Sequence, residues 1–150
     1  MRERSDDRGS LGTRGLLLAS GLLAAGVAAA SLIAPDAFYA VYGIVIDSDI
    51  NLMNELKGSA GLLLAVAILI LRGVHRTEFA RMSLGMASAV YLSYALARLV
   101  SMTTDGIPNP SLIVAGLIEG AAGAACLVRL LQIRSASAAK EVRVPFGTKP

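Results

Sequence analysis

Four long runs with few or no charged side chains dominate this chain, and their lengths limit what it can fold into. The first, residues 15–34, carries no charge at all, and the others cover about residues 52–71, 79–100 and 111–131. At about 1.5 Å per residue, a helix of about 20 apolar residues crosses the hydrocarbon core of a bilayer. The pattern therefore predicts an all-α fold: a four-helix transmembrane bundle over residues 15–131, between tails at 1–14 and 132–150.

The composition excludes a soluble domain and several kinds of chemistry. Apolar residues make up 55% of the chain and charged residues 17%, against roughly 25% charged in typical globular proteins. Cys126 is the one cysteine and lies in an apolar run, so no disulfide framework is expected. With His75 as the one histidine, a zinc-type ligand set cannot be assembled. We expect neither a metal nor a cofactor.

The basic residues predict an orientation. Lysine and arginine collect in cytoplasmic loops, and 12 of the 14 fall on one side if the runs cross in turn. They are Arg2, Arg4, Arg8, Arg14, Arg72, Arg76, Arg81, Arg129, Arg134, Lys140, Arg143 and Lys149. We therefore expect an inner-membrane protein with both termini cytoplasmic. The basic surplus predicts contact with anionic membrane lipid, not with nucleic acid.

The first run has an alternative interpretation, because arginines also precede a secretory signal peptide. Ala28 and Ala30 resemble a cleavage site. The run is long for a signal, however, and the leader contains Glu3, Asp6 and Asp7. We expect the run to be retained as a span.

Two segments outside the runs also carry a structural prediction. Residues 35–51 are too long for a simple turn, Pro35 suits the first turn of a helix, and Phe38, Tyr39 and Tyr42 are typical of the headgroup level. We expect a short extracytoplasmic interfacial helix followed by a loop; an unstructured loop is the alternative. Residues 135–150 are polar and basic, which predicts a disordered tail.

Charged side chains within the runs concentrate near the extracytoplasmic face. Ionisable groups inside a span are costly and usually face the bundle interior in pairs. Glu55, Arg98 and Glu119 come from three different runs and lie about 5 to 10 Å deep by helical rise. We therefore expect Arg98 to pair with both Glu55 and Glu119.

Helical spacing supports this arrangement. Tyr91, Tyr94, Arg98 and Ser101 follow steps of three and four, so they share one face. Small residues such as Gly116 and Gly120, on either side of Glu119, allow helices to approach closely. The candidate catalytic residues are Glu119, Glu55, Arg98 and Asp105, and the candidate ligand-binding residues are Asn54, Tyr91, Tyr94 and Ser101.

Three stretches resemble the motifs of a known family. Asn54-Glu55-Leu56-Lys57-Gly58-Ser59-Ala60-Gly61 resembles an Asn-Glu-x-Arg-Gly-x-x-Gly motif, with Lys57 in place of the arginine. Arg98, Ser101, Asp105, Gly106 and Pro108 resemble an Arg-x-x-Ser and Asp-Gly-x-Pro pair, and Glu119 resembles an acid of the last helix. The family is a set of small bacterial four-span proteins catalogued only as a domain of unknown function, the 4345 domain family. The resemblance covers about residues 15–131 and implies a fold but no activity.

The sequence leaves several functions open. A pocket for a small lipid-soluble molecule is the first, with cofactor-free acid/base catalysis of an isomerase, cyclase or hydrolase type as its extension. A non-enzymatic accessory or assembly subunit, as a homo-oligomer or with a membrane protein partner, is the alternative. Transport of a proton or small solute is less well supported, because the inner parts of the runs carry no ionisable relay. The charged cluster also has a purely structural interpretation, as a device that fixes helix register.

Overall fold

The chain is built from four long helices and one short one. The computed structural model describes the backbone of residues 3–46 and 49–142 and the side chains of residues 11–46 and 49–137. Over these residues the helices are α1 (Glu3–Ile33), α2 (Pro35–Ala40), α3 (Ile50–His75), α4 (Ala80–Thr104) and α5 (Pro110–Val142). Four of them, all except α2, are long and apolar enough to cross a membrane. The predicted all-α four-helix transmembrane bundle is confirmed.

Local sequence signals set the helix ends near the predicted loops. The Asp49 carboxylate accepts hydrogen bonds from the backbone N–H groups of Asn51 and Leu52, 2.8 and 3.3 Å away, and so caps the start of α3. Pro35 begins α2, and Gly43, at φ 74°, turns the chain after it. A short helix thus follows the first span, while its position at the membrane interface stays a prediction. Asp47 and Ser48 of the following loop lie outside the described residues.

The last helix is longer than the sequence predicts. The expectation of a disordered tail is wrong for residues 135–142, because α5 continues to Val142. Residues 134–142 contain neither glycine nor proline and are rich in alanine, which has the highest helix propensity. The rest of the predicted tail, residues 143–150, lies outside the described part of the chain.

The long helices pack as two pairs. Helix α1 lies along α3 and α4 lies along α5, and contact between α3 and α4 joins the pairs, while α1 touches α4 and α5 over shorter stretches. The helices alternate in direction, so the start of α1, the end of α5 and the α3–α4 connection share one end of the bundle. We call this the terminal end, and the opposite end, which carries α2 and the α4–α5 connection, the α2 end.

The close-packed core lies toward the terminal end. Leu17, Ile70, Leu84 and Cys126 bring one side chain each from α1, α3, α4 and α5, and all four are fully buried. Close to them, Gly73 of α3 faces Ser83 of α4 so tightly that an added Cβ would lie 2.5 Å from the serine Oγ. At these positions the helices of this half are therefore in close contact.

Candidate functional site

The α2 half of the bundle encloses a cavity of about 560 Å³. All five helices contribute to its wall, which is mostly apolar and is formed on its deeper side by residues such as Leu23, Ala24, Leu63 and Val90. The volume falls within the range of small-molecule sites, roughly 300 to 1,000 Å³. The cavity thus lies between the α1–α3 pair and the α4–α5 pair at the α2 end of the bundle.

An arginine–glutamate pair is the charged feature of the cavity wall. The Arg98 guanidinium of α4 donates from Nε to Glu119 Oε2 at 2.7 Å and from Nη2 to Glu119 Oε1 at 3.0 Å. Both side chains are mostly buried, 27% and 17% exposed. The two parallel hydrogen bonds match the planar fork of arginine and fix the relative orientation of the groups. Charge-assisted bonds of this kind are the expected way to hold ionised groups inside a span.

Three glycines of α5 make room for this pair. An added Cβ on Gly116 would lie 3.1 Å from Arg98 Cδ, so the arginine stem passes directly over the glycine. One turn before Arg98 on α4, Ala95 lies in ordinary contact with Gly120, and two turns before it Leu92 packs closely against Gly123. The small-residue face of α5 therefore packs within the chain, against α4, and lets the Arg98 stem lie flat enough to reach Glu119.

Helix α2 covers the cavity with aromatic rings. Phe38 packs edge-on against both Tyr39 and Tyr42, with ring centroids 5.1 and 5.4 Å apart, and all three rings line the cavity. The Ser31 hydroxyl of α1 donates to the Tyr39 hydroxyl at 3.2 Å. Beyond the helix, an added Cβ on Gly43 would lie 3.2 Å from the Asn109 amide. Residues 38–43 thus extend from α1 to the start of α5.

The polar stripe of α4 lies along the cavity. Tyr91, Tyr94, Arg98 and Ser101 all belong to its wall. The Tyr91 hydroxyl donates to the Ser20 backbone carbonyl of α1 at 2.5 Å, so this ring is a buried link between helix pairs. Tyr94 is 42% exposed, and its hydroxyl has no hydrogen-bond partner among the described residues.

The structure does not bring the remaining predicted residues to the pair. The expected contact between Arg98 and Glu55 is wrong: Glu55 is exposed on α3, lies outside the cavity wall and forms no ion pair within the described residues. It lies five residues after Ile50, near the start of α3, where a carboxylate reaches water easily. The bidentate position on Arg98 is already taken by Glu119. Asn54 is also exposed and outside the wall. Asp105 accepts a hydrogen bond from Ser101 Oγ at 2.9 Å at the end of α4, outside the wall.

Sequence reasoning missed several residues of the cavity wall. Phe38, Tyr39 and Tyr42 were expected at the headgroup level, and their rings form part of the site. Phe38 lies in α2 and Tyr42 in the turn directly after it, and their spacing by four residues is a signal that the two rings lie on one side. Ser31 and Ser59 also line the cavity, and single serines in apolar runs give no comparable signal.

Among the described residues, no three histidine, cysteine, aspartate or glutamate side chains lie close enough together to hold a metal ion. The site is therefore an apolar cavity with one neutralised ion pair and several hydroxyl groups. Such an arrangement suits a hydrophobic molecule with a small polar end.

Comparison with known protein families assigns this chain to a family. Residues 12–130 match the family described as "Domain of unknown function (DUF4345)". The chain belongs to this family. The match covers the four transmembrane helices up to Leu130 and includes the cavity wall, and it agrees with the resemblance over about residues 15–131. Comparisons with curated proteins and with solved structures gave no match.

Proposed function

We propose that this DUF4345 protein binds a small lipid-soluble molecule in the cavity at the α2 end. The observation that carries the proposal is a cavity of about 560 Å³ with apolar walls and a bidentate Arg98–Glu119 pair on one side. Apolar walls supply contact area and a few fixed polar groups orient the ligand, as in most small-molecule sites.

Binding is better supported than catalysis. A cofactor-free acid/base reaction of the isomerase, cyclase or hydrolase type needs a second proton-transfer group within reach of the substrate. Glu55 and Asp105, the other candidate carboxylates, lie outside the cavity wall. Both oxygens of Glu119 accept hydrogen bonds from Arg98, an arrangement suited to holding a fixed polar surface. We therefore propose a binding protein and reserve a catalytic role for Glu119 alone.

The proposal also includes a location. The distribution of lysine and arginine favours the cytoplasmic membrane, with both termini in the cytoplasm. In this orientation the α2 end lies on the extracytoplasmic side, and α2 lies at the interface there. The cavity would open close to the outer leaflet.

The test is mass spectrometry of small molecules that co-purify with the detergent-solubilised protein. Ala115 lines the cavity and its neighbour Val114 points away from it on the outer surface of α5. Ala115→Phe should expel the molecule because the added ring fills the cavity, and Val114→Phe, at almost the same depth, should retain it. A defined compound present in the wild type and in Val114→Phe but absent from folded Ala115→Phe supports the pocket.

The same experiment discriminates the alternative function. If all three proteins carry the same bulk lipid and a stoichiometric protein partner instead, an accessory or assembly subunit becomes the better explanation. Its interface would be the exposed face of α3 at Asn54, Glu55, Gly58 and Gly61, where an added Cβ on either glycine meets nothing within 4 Å. In that case the Arg98–Glu119 pair would serve only to fix the register of α4 against α5.

A further inference from the structure

We infer that the ligand of this cavity is an uncharged lipophile whose polar end accepts hydrogen bonds, as a ketone, aldehyde or ester carbonyl does. The inference rests on the proposed function and narrows the class of ligand. It follows from the charges of the cavity wall and from those hydrogen-bonding groups of the wall that have no partner among the described residues.

The net charge of the wall is zero. Arg98 and Glu119 are the charged side chains that line the cavity, and the remaining lining residues are apolar or carry hydroxyl groups. The bidentate geometry pairs the one positive group fully with the one negative group. The site therefore offers no unpaired charge to a ligand that arrives with a charge of its own.

A charged ligand would have to break or oppose this pair. An alkyl carboxylate approaching the guanidinium would meet the Glu119 carboxylate beside it, and an alkylammonium would meet the Arg98 guanidinium. Each would also lose its hydration on entering apolar surroundings, which is unfavourable unless a new partner compensates. An anion could reach the remaining N–H groups of Arg98, but the guanidinium charge would stay neutralised by Glu119 as long as the pair is intact.

The hydrogen-bonding capacity of the wall is weighted toward donors. A guanidinium carries five N–H donors, and two of those of Arg98 are used by Glu119. No other described residue accepts from the remaining three, and the arginine side chain keeps 27% of its surface exposed. The hydroxyls of Tyr42 and Tyr94 line the same cavity without a hydrogen-bond partner in the described part of the chain.

A carbonyl oxygen fits this set of groups. It accepts two hydrogen bonds, donates none and carries no charge, so it can bind the free N–H and O–H groups without disturbing the pair. The alkyl part of such a molecule would lie along the apolar wall formed by α1 and α3, at residues such as Leu23 and Leu63.

The experiment compares three probes with chains of similar length: 2-tridecanone, dodecanoate and dodecylammonium. Binding to the full-length protein in phosphatidylcholine nanodiscs is measured by isothermal titration calorimetry, with empty nanodiscs as the blank. The wild type should bind the ketone at least about tenfold more tightly than either ion, since tenfold corresponds to about 1.4 kcal/mol. This ranking needs no variant and is the primary result.

Two variants then change the charge of the wall. Glu119→Gln leaves Arg98 unpaired, so dodecanoate should gain at least about tenfold in affinity, while Arg98→Gln should give the same gain for dodecylammonium. Each variant is used if its helix content and monodispersity match the wild type. Ala115→Phe serves as the control in which all specific binding is lost.

The outcomes separate this inference from the proposed function. Tighter binding of dodecanoate or dodecylammonium than of the ketone by the wild type would overturn the uncharged ligand and leave the pocket intact. Absence of any binding above empty nanodiscs would overturn both. Ketone binding that Ala115→Phe does not reduce would place the molecule outside the cavity and would also overturn both.

Discussion

The two halves of the bundle contain the same four helices and differ in what lies between them. At the terminal end small residues meet, as where Gly73 faces Ser83, and Leu17, Ile70 and Leu84 fill the remaining space. At the α2 end α4 contributes long side chains such as Tyr94 and Arg98, and the pairs are separated by a cavity of about 560 Å³. Helix separation within one bundle is thus set locally by side-chain size, as expected where close packing holds helices together in a membrane.

The long side chains of α4 hold the pairs apart in two ways. Tyr91 reaches α1 and donates to the Ser20 carbonyl, which fixes a distance between the pairs at the boundary of the two halves. Arg98 turns in the other direction, over Gly116, to Glu119 of its own pair partner α5. With these contacts in place, the space on the α1 and α3 side of α4 stays unfilled and forms the cavity.

The largest expected effect comes from enlarging a residue in the packed half. Gly73→Val should lower the free energy of unfolding by about 3 kcal/mol, because its Cβ would overlap Ser83 and force α3 away from α4. Unfolding in detergent, followed by circular dichroism, measures the change. Gly61→Val on the same helix is the matched control and should change stability by less than about 0.5 kcal/mol, since nothing lies within 4 Å. Equal losses of stability in both variants would contradict the difference in packing between Gly73 and Gly61.

Breaking the ion pair should have the second largest effect. Glu119→Leu leaves the Arg98 guanidinium mostly buried without its partner and should lower the free energy of unfolding by about 2 kcal/mol. The double variant Arg98→Met/Glu119→Leu should regain most of that loss, because both charges are then absent. A double variant as unstable as the sum of the single ones would mean that the two groups do not interact.

A smaller effect is expected at the boundary between the halves. Tyr91→Phe removes the donor to the Ser20 carbonyl and should lower the free energy of unfolding by about 1 kcal/mol. Tyr94→Phe, three residues further along α4, should leave stability unchanged, because its hydroxyl bonds to no described residue. The two variants are compared by thermal unfolding under identical detergent conditions. Similar melting temperatures would show that the Tyr91 hydroxyl does not link the pairs.

The smallest expected effect is in the cavity itself. Ala97→Leu adds methyl groups to a wall that borders free space and should change the free energy of unfolding by less than about 0.5 kcal/mol. Ligand binding should nevertheless weaken as the volume falls. A destabilisation comparable to that of Gly73→Val would show that the α2 half is as tightly packed as the terminal half.

The helices were predictable because their signals are local. Runs of membrane-spanning length with few or no charged residues correspond to α1, α3, α4 and α5, and Pro35 marks the start of α2. The pairing of Arg98 with Glu119 also follows from depth and helical face. The end of α5 was not predictable from hydropathy, since a polar segment rich in alanine continues a helix beyond the apolar run without changing the span.

The environment of Glu55 shows that burial cannot always be predicted from the helical face on which a residue lies. Glu55 was expected in the bundle interior because charged groups in a span usually point inward. Near the end of a helix, however, a polar face is equally compatible with contact to water or headgroups, and the structure exposes Glu55 and Asn54. The distance between two pairs of helices depends on the total volume of the side chains between them. This volume cannot be read from the sequence of one helix alone. The cavity therefore emerged only from the fold.

The pairing of α1 with α3 and of α4 with α5 has a consequence for biosynthesis. A chain that enters the membrane from its N-terminus completes its first antiparallel hairpin, residues 3–75, before the second has left the ribosome. Each hairpin can form its main contacts alone, and the Arg98–Glu119 pair lies within the second hairpin. This pair shares a cavity with the rings of α2 only when the two hairpins dock. The cavity is thus completed in the last assembly step. Two separately translated fragments, divided at the Thr77–Phe79 turn, should reconstitute it when co-expressed, and neither fragment should do so alone.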